Sequence, residues 1–334
     1  MKKSPHTVFI KALCLICTLA MLFSFVACNG EDDAEVTDGA KYHTVSFNTN
    51  GGSPIESIQV LDGHYASRPE DPTMDNYVFR RWELDNREWH FGTKRVTESI
   101  TLNALWVSAI ELFAVEPDEK SDGLLISDFK KAASFSTLKV PEIINGKKIV
   151  GLADGAFENT GSDYASLIVL PESVVTVGKY AFANSSEIKF DIKGTLTSIG
   201  VESFRNCELL DKISLGVGIT SIPFMAFYNC SSLKTIALPD GVTTIEENAF
   251  EKCSSLVTIV IPASLTTVED SGFSYCPSLK TVFYKGTQEQ LDAIDVADSN
   301  EAFLDAKVYF YSEAEPTEDG LWWHYDKSGS PVIW

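Results

Sequence analysis

The stretch Ile222-Pro-Phe-Met-Ala-Phe227-Tyr-Asn-Cys230-Ser-Ser-Leu233-Lys-Thr-Ile236-Ala-Leu238-Pro239 decides the fold, because its columns return on both sides of it. Aligned on phenylalanine, the copies fall at Phe157, Phe182, Phe204, Phe227, Phe250 and Phe273, in steps of 25, 22, 23, 23 and 23 residues. An aliphatic residue stands five positions before each (Leu152, Val177, Ile199, Ile222, Ile245, Val268). The residue directly before each is small: Ala156, Ala181, Ser203, Ala226, Ala249 and Gly272. Cys207, Cys230, Cys253 and Cys276 follow the last four phenylalanines by three positions. Leu233, Ile236 and Leu238 mark a short strand closed by Pro239, and Leu256, Ile259, Ile261 and Pro262 mark it again.

A fixed period of this length predicts a solenoid. One unit holds too few apolar residues to bury a core, whereas stacked units turn each column into a continuous interior. Six rungs spaced by roughly 4.8 Å extend about 25–30 Å. The first repeat carries two extra residues around Gly161-Ser162-Asp163 and the second lacks one, both between the phenylalanine and the strand, where length changes belong in loops.

On these residues the chain resembles the BspA-type leucine-rich repeat of bacterial surface proteins, over about residues 145–285. The resemblance implies a mainly β, leucine-rich-repeat solenoid of about six repeats and a role in adhesion or surface binding. Residues 108–150, with Val140-Pro-Glu-Ile-Ile-Asn-Gly-Lys-Lys-Ile149, resemble the N-terminal cap of such a solenoid, and the repeats proper fill 151–285.

Residues 41–107 are patterned differently. Alternation at Val45/Phe47 and Ile100/Leu102 predicts strands, and Asn50-Gly51-Gly52 is turn chemistry. With Tyr77-Val-Phe79-Arg-Arg-Trp82 and Ile100-Thr-Leu-Asn-Ala-Leu-Trp106, the segment resembles the Listeria–Bacteroides repeat, a small β-grasp-like module of surface proteins. That resemblance implies presentation or partner contact.

After Tyr284 the rhythm stops. Residues 286–334 hold 11 acids and two lysines. Thr287 to Ile294 reads as a helix, Ala306 to Tyr311 as a strand, and the tail is aromatic (Trp322, Trp323, His324, Tyr325, Trp334). The segment reads as a C-terminal cap, since an open solenoid end exposes apolar columns and strand edges. An aromatic platform for sugar rings is the alternative.

At the other end, Lys2, Lys3 and Lys11 precede an apolar run from Ala12 to Ala27, 16 residues long and short of the roughly 20 that span a bilayer. The run ends in Phe25-Val26-Ala27-Cys28, which resembles a bacterial lipobox with Phe25 where leucine is usual. Residues 1–27 are thus expected to be a lipoprotein signal peptide and Cys28 the lipidated residue. Residues 28–40 are expected to be an acidic tether; the acids after Cys28 resemble surface-export signals of some lipoproteins, and a solvated spacer accounts for them equally. The expected address is the cell surface, on the outer membrane, reached through the anchor.

Composition narrows the function. Hydrophobic residues make up 44% of the 334 and charged residues 22%, as in a folded chain. Lys plus Arg is 27 against 47 Asp plus Glu, a formal net charge of −20, which repels phosphate backbones and argues against nucleic acid. His43, His64, His90 and His324 are scattered, and no HExxH, Gly-x-Ser-x-Gly, P-loop or strand-borne GxGxxG occurs. No enzyme activity, cofactor or metal is expected. Glu31-Asp32-Asp33-Ala-Glu35 lacks the glycine-anchored loop of a calcium site. The four repeat cysteines read as buried thiols pointing the same way; an even number in an exported chain keeps disulfides open as the alternative.

What remains is a surface. The outward positions of the repeat strands form columns: Asp211, Lys234, Val257, Lys280; then Lys212, Thr235, Thr258, Thr281; then Ser214, Ala237, Val260, Phe283. Solenoids bind partners on such sheets, so Thr235, Thr258, Thr281, Val260, Phe283, Lys234 and Lys280 are the candidate partner-binding residues; the competing reading is that they are simply good β-formers. The expected function is binding of a host protein, matrix component, glycan or other microbe. The alternative is a non-catalytic envelope scaffold that organises membrane partners.

Overall fold

The computed structural model describes residues 39–334; the leader, Cys28 and the tether up to residue 38 lie outside the described residues. Residues 41–334 form one compact unit, almost entirely β, with helix confined to three segments of four or five residues.

The first seven strands are β1 (Tyr42–Asn48), β2 (Ile58–Leu61), β3 (His64–Tyr65), β4 (Tyr77–Leu84), β5 (Arg87–Glu88), β6 (Arg95–Val96) and β7 (Ile100–Ser108). Five of them make a mixed sheet in the order β2-β1-β7-β4-β5. Its centre is the parallel pair β1 and β7, with Val45 opposite Ile100 and Phe47 opposite Leu102. The alternation that predicted β1 holds residue by residue: Val45 and Phe47 point into a core with Phe79, Trp82 and Leu102. Gly52 is required at its turn, because a Cβ there would lie 2.4 Å from the Trp106 ring. Trp106 in turn donates its indole N–H to the Thr49 carbonyl at 2.9 Å.

This module is not a detached bead. Asn76, in the left-handed region at φ 66, donates its N–H to Ile143 O at 3.1 Å. Its carbonyl accepts from Ala109 N–H at 2.8 Å, and its Oδ1 accepts from Asn145 N–H at 2.6 Å. Val78, 1% exposed, belongs to the solenoid's core rather than the module's.

The solenoid has about eight turns. Its axis is a stack of phenylalanine rings, Phe129-Phe157-Phe182-Phe204-Phe227-Phe250-Phe273-Phe303, with neighbouring centroids 5.1–5.5 Å apart. The six phenylalanines legible as a repeat are therefore the interior of a longer column. Both flanking segments supply rungs. Residues 124–129 of the expected cap pair with 147–152, which lead into 176–177 and then 198–199 in one parallel ladder, and residues 295–296 and 307–311 of the tail continue the later ladders. The expected C-terminal helix forms at Gln288–Asp292 with a capping box between Thr287 and Gln290, and the expected strand at Lys307–Tyr311.

The turn around each phenylalanine is tight. Residues two before (Tyr180, Glu202, Met225, Asn248, Ser271) and two after (Asn159, Asn184, Asn206, Asn229, Lys252, Tyr275) all have positive φ. Phe157, Phe182, Phe204, Phe227 and Phe250 each donate the backbone N–H to the carbonyl before the next rung's phenylalanine. Phe273 donates instead to Oδ1 of Asn300, a buried side chain that stands in for the missing carbonyl.

The outer ladder is interrupted. Strands 135–139, 165–170 and 189–192 form one sheet, and a second begins only at 235–237. Between them residues 211–219 make a single isolated bridge, Leu196 to Leu215. Gly216 and Gly218 shape this segment; Gly218 has φ +109 and sits 3.0 Å (as a built Cβ) from Thr197 O.

Candidate binding surface

Thr235, Thr258 and Thr281 lie in register on three consecutive parallel strands, and the fourth member of the column is Lys307. Lys234 and Lys280 stand exposed at the corners just before their strands, with Val257 between them, 43% exposed. Lys285 follows the third strand, pairs with Asp240 at 2.9 Å and lies 5.6 Å from the centroid of Tyr325. Lys307 sits 5.0 Å from the Tyr309 ring. Lys234, Lys280 and Lys307 thus edge one end of the ladder in a chain whose net charge is −20, with Lys285 at the other end. Asp211, Lys212 and Ser214 fall in the interrupted segment, so the columns begin at residue 234.

Val260 and Phe283 need correction as surface residues: they are only 2% and 6% exposed. Alternation places them on the outer face, but the tail covers it there. Strand Trp322–Tyr325 pairs with Lys307–Tyr311, Trp323 opposite Tyr311, and strand Pro331–Ile333 closes the sheet antiparallel. Trp323, fully buried, packs 5.1 Å from Phe283 and donates its indole N–H to Tyr284 O at 3.1 Å. Val260, Phe283 and Trp323 form a second small core outside the solenoid interior, flanked by Tyr309 and Tyr325. Trp323 is therefore unavailable as a sugar platform; His324 and Trp334 stack on each other at 3.8 Å.

The four repeat cysteines are free and buried. Cys207, Cys230, Cys253 and Cys276 donate Sγ–H to the carbonyls of Phe182, Phe204, Phe227 and Phe250, one rung back, at 3.0–3.2 Å. Burial pushes the thiols far up, Cys276 to about 12, so they are not nucleophiles. Ser185 occupies the same place and donates to Phe157 O at 3.0 Å, and Thr160 donates to Phe157 O at 2.8 Å. The column selects a small side chain with a donor, which a search for cysteine alone misses.

The histidines are not brought together. His43 is buried and pairs with Asp62 at 2.6 Å, and that hydrogen bond holds the Asp62 carboxyl below its ordinary value. His64 and His90 are exposed. Among the described residues no group of three or more His, Cys, Asp or Glu could hold a metal ion. A concave feature lies where the module meets the solenoid: a cleft of about 430 Å³ with Tyr77, Phe79 and Trp106 on one side and Val140, Pro141 and Pro171 on the other.

Fold and surface together define a β-solenoid with an aromatic spine and a lysine-edged outer ladder. Residues 129–191 and 176–294 match the BspA type leucine rich repeat region, in six copies, and residues 43–105 match the Listeria-Bacteroides repeat domain. The chain belongs to the BspA-type leucine-rich repeat proteins and carries one Listeria-Bacteroides repeat domain.

A protein of Evansella cellulosilytica provisionally named a membrane protein is 29% identical over 159 residues, 46% of this chain and 23% of that one. A Gly-rich one from the same organism, also provisionally named a membrane protein, is 33% identical over 67 residues, 19% and 8% of the two chains. The chain thus spans less than a quarter of the length of these relatives. Among solved structures, a leucine-rich repeat protein of T. pallidum is similar with TM-score 0.43 and 23% identity, over 52% of this chain and 79% of that one. A leucine rich cell surface protein of Faecalibacterium prausnitzii follows with TM-score 0.38 and 27% identity, over 59% and 45%.

Proposed function

We propose that this protein is an exported, envelope-attached binding protein that engages an acidic protein or glycan through the ladder around Thr235, Thr258 and Thr281. Lys234, Lys280 and Lys307 supply the attraction, Lys285 being paired with Asp240 at the far end of its strand. The observation that carries this reading is the alignment of those lysines along one ladder of a strongly acidic chain. A local field of opposite sign steers a partner to one face and rejects others. The sheet beneath is backed by the second aromatic core of Val260, Phe283 and Trp323. Proteins of this repeat family are as a rule binding proteins rather than catalysts.

Attachment rests on the signal-like leader and Cys28. It is supported by the provisional naming of the relatives as membrane proteins. Cys28→Ala is expected to abolish labelling by a radioactive fatty acid, and protease added to intact cells is expected to remove the wild-type protein. Protection from protease would place the protein inside the envelope and sink the surface reading.

Binding is tested with the mature protein on a panel of matrix proteins and glycans. Triple charge reversal, K234E/K280E/K307E, is expected to weaken saturable binding by at least about tenfold and to flatten its salt dependence. Unchanged affinity in the triple variant would remove the ladder from the interface.

A further inference from the structure

Asn159, Asn184, Asn206 and Asn229 each stand two residues after a column phenylalanine, at φ 53 to 62, a conformation that asparagine tolerates better than most residues. Their side chains form a ladder across the rungs. Asn184 Nδ2 donates to Asn159 Oδ1 at 3.1 Å, Asn206 to Asn184 at 2.8 Å, and Asn229 to Asn206 at 3.2 Å. The direction is fixed by Glu208, whose Oε1 accepts from Asn229 Nδ2 at 3.3 Å, because a carboxylate can only accept. The ladder therefore ends in a carbonyl oxygen, Asn229 Oδ1, and among the described residues no group donates to it.

The next two rungs break the pattern. Lys252 and Tyr275 hold the same position, at φ 63 and 55. Lys252 is drawn aside: its Nζ bonds Tyr228 OH and Glu251 Oε1 and lies 4.5 Å from the Tyr228 ring centroid. Tyr275 projects outward, 73% exposed. Between them lies a shallow, solvent-open cavity of about 510 Å³ lined by Asn229, Lys252, Ser254, Tyr275, Cys276, Pro277 and Ala302.

We propose that this cavity binds the acetamido group of a 2-acetamido sugar. The ligand N–H donates to Asn229 Oδ1 and so extends the amide ladder by one member. Its methyl packs on Pro277 and Ala302, and the apolar face of the pyranose lies on the exposed Tyr275 ring, which combines an apolar body with a polar tip. A neutral sugar fits this position because the one charge on its lining, Lys252, is already paired with Glu251, and the Glu208 carboxylate lies against Asn229. The site is separate from the lysine ladder and does not depend on it.

The test is calorimetric titration of the mature protein with triacetylchitotriose, its fully deacetylated counterpart, and N-acetylgalactosamine α-linked to a serine peptide. Saturable binding of an acetylated ligand is expected, and the two acetylated arms separate a β-linked cell-wall type of glycan from a glycoprotein type. The deacetylated oligomer is expected to bind at least about tenfold more weakly, even though its positive charge favours an acidic protein. Lys252→Asn puts a ladder amide onto Asn229 Oδ1, and Tyr275→Asn removes the ring. Both keep a residue that tolerates positive φ, so each should hold or raise Tm while losing at least about tenfold in affinity. The charge-reversed triple variant should bind the sugar like wild type. Three results would overturn the assignment: no binding of any acetylated ligand at millimolar concentration, equal affinity for the deacetylated oligomer, or full affinity in K252N. None of them bears on K234E/K280E/K307E, so the ladder reading stands or falls on its own.

Discussion

The two ends of the solenoid are closed by different means. At the N-terminal end residues 113–117 turn back antiparallel on 124–129 and the Phe113 ring covers Phe129 at 5.8 Å, while a separately patterned module adds a hydrophobic residue, Val78, and a backbone clamp centred on Asn76. At the C-terminal end the chain's own continuation does both jobs. Phe303 extends the ring stack, Asn300 Oδ1 replaces a rung carbonyl, and Trp323 covers the outer sheet. A stacked architecture leaves each terminal rung with one naked face, so some capping element must supply what a neighbouring rung would. Here one cap is an antiparallel strand with Phe113 on the last ring, buttressed by the module, and the other is a repeat whose backbone pattern has decayed while its ring has not.

The centre of the column sets the scale for both ends. Phe227 is fully buried between Phe204 and Phe250, with rings within 8° of parallel on the stretch from Phe204 to Phe273. Phe227→Asp puts an unpaired charge there and should cost about 4 kcal/mol or more, enough to prevent a folded solenoid. Native-like melting of this variant would show that the column is not the source of stability.

Trp323→Ala should come next. It empties the second core and leaves Tyr284 O without its indole donor, at a cost of about 3–5 kcal/mol. Hydrogen exchange should localise the loss to 258–333 and leave 113–152 protected. Uniform loss of protection would mean that the two ends are coupled in a single cooperative unit.

Much of this contrast was visible in the sequence, and the reasons it was partial are physical. Repetition made the inner six phenylalanines legible, since each stands 22–25 residues from the next. Phe129 and Phe303 escaped because they sit 28 and 30 residues outside that series, beyond loops of a different length. Alternation placed Val260 and Phe283 on the outer face correctly, yet said nothing about a strand more than 35 residues downstream folding over that face. The asparagines two after phenylalanine did recur at fixed spacing; position alone hid that their amides join. The lysine edge was half visible: Lys234 and Lys280 lie in repeats, whereas Lys307 enters through a rung that the rhythm does not mark.

Asn300→Ala and Asn76→Ala compare the two closures directly. Asn300 is 1% exposed and satisfies Phe273 N–H while donating to Glu269 O and Ala297 O, so truncation should cost about 2–3 kcal/mol. For Asn76, which is only half-buried, Ala removes one side-chain acceptor and strains the positive φ, for about 1–2 kcal/mol. Chemical denaturation should rank Asn300→Ala as the more damaging. The reverse order would make the module, rather than the decayed repeat, the principal cap.

The smallest effect separates two accounts of the cysteine column. If the position needs only a small apolar filler, Cys253→Ala and Cys253→Ser should lose similar stability. If the thiol matters as a donor to Phe227 O, as Ser185 does to Phe157 O, serine should fall near wild type and alanine below it. The gap should be about 1 kcal/mol at most, because Phe227 O also accepts from Cys230 N–H and is never wholly unpaired. Serine at or below alanine would break the donor account and leave packing alone. Reactivity gives an independent check: burial keeps these thiols protonated, so reagents for free thiolate should modify them only as fast as the rungs unfold. Modification should therefore reach Cys276, one rung from the decayed cap, before Cys230 in the middle of the stack.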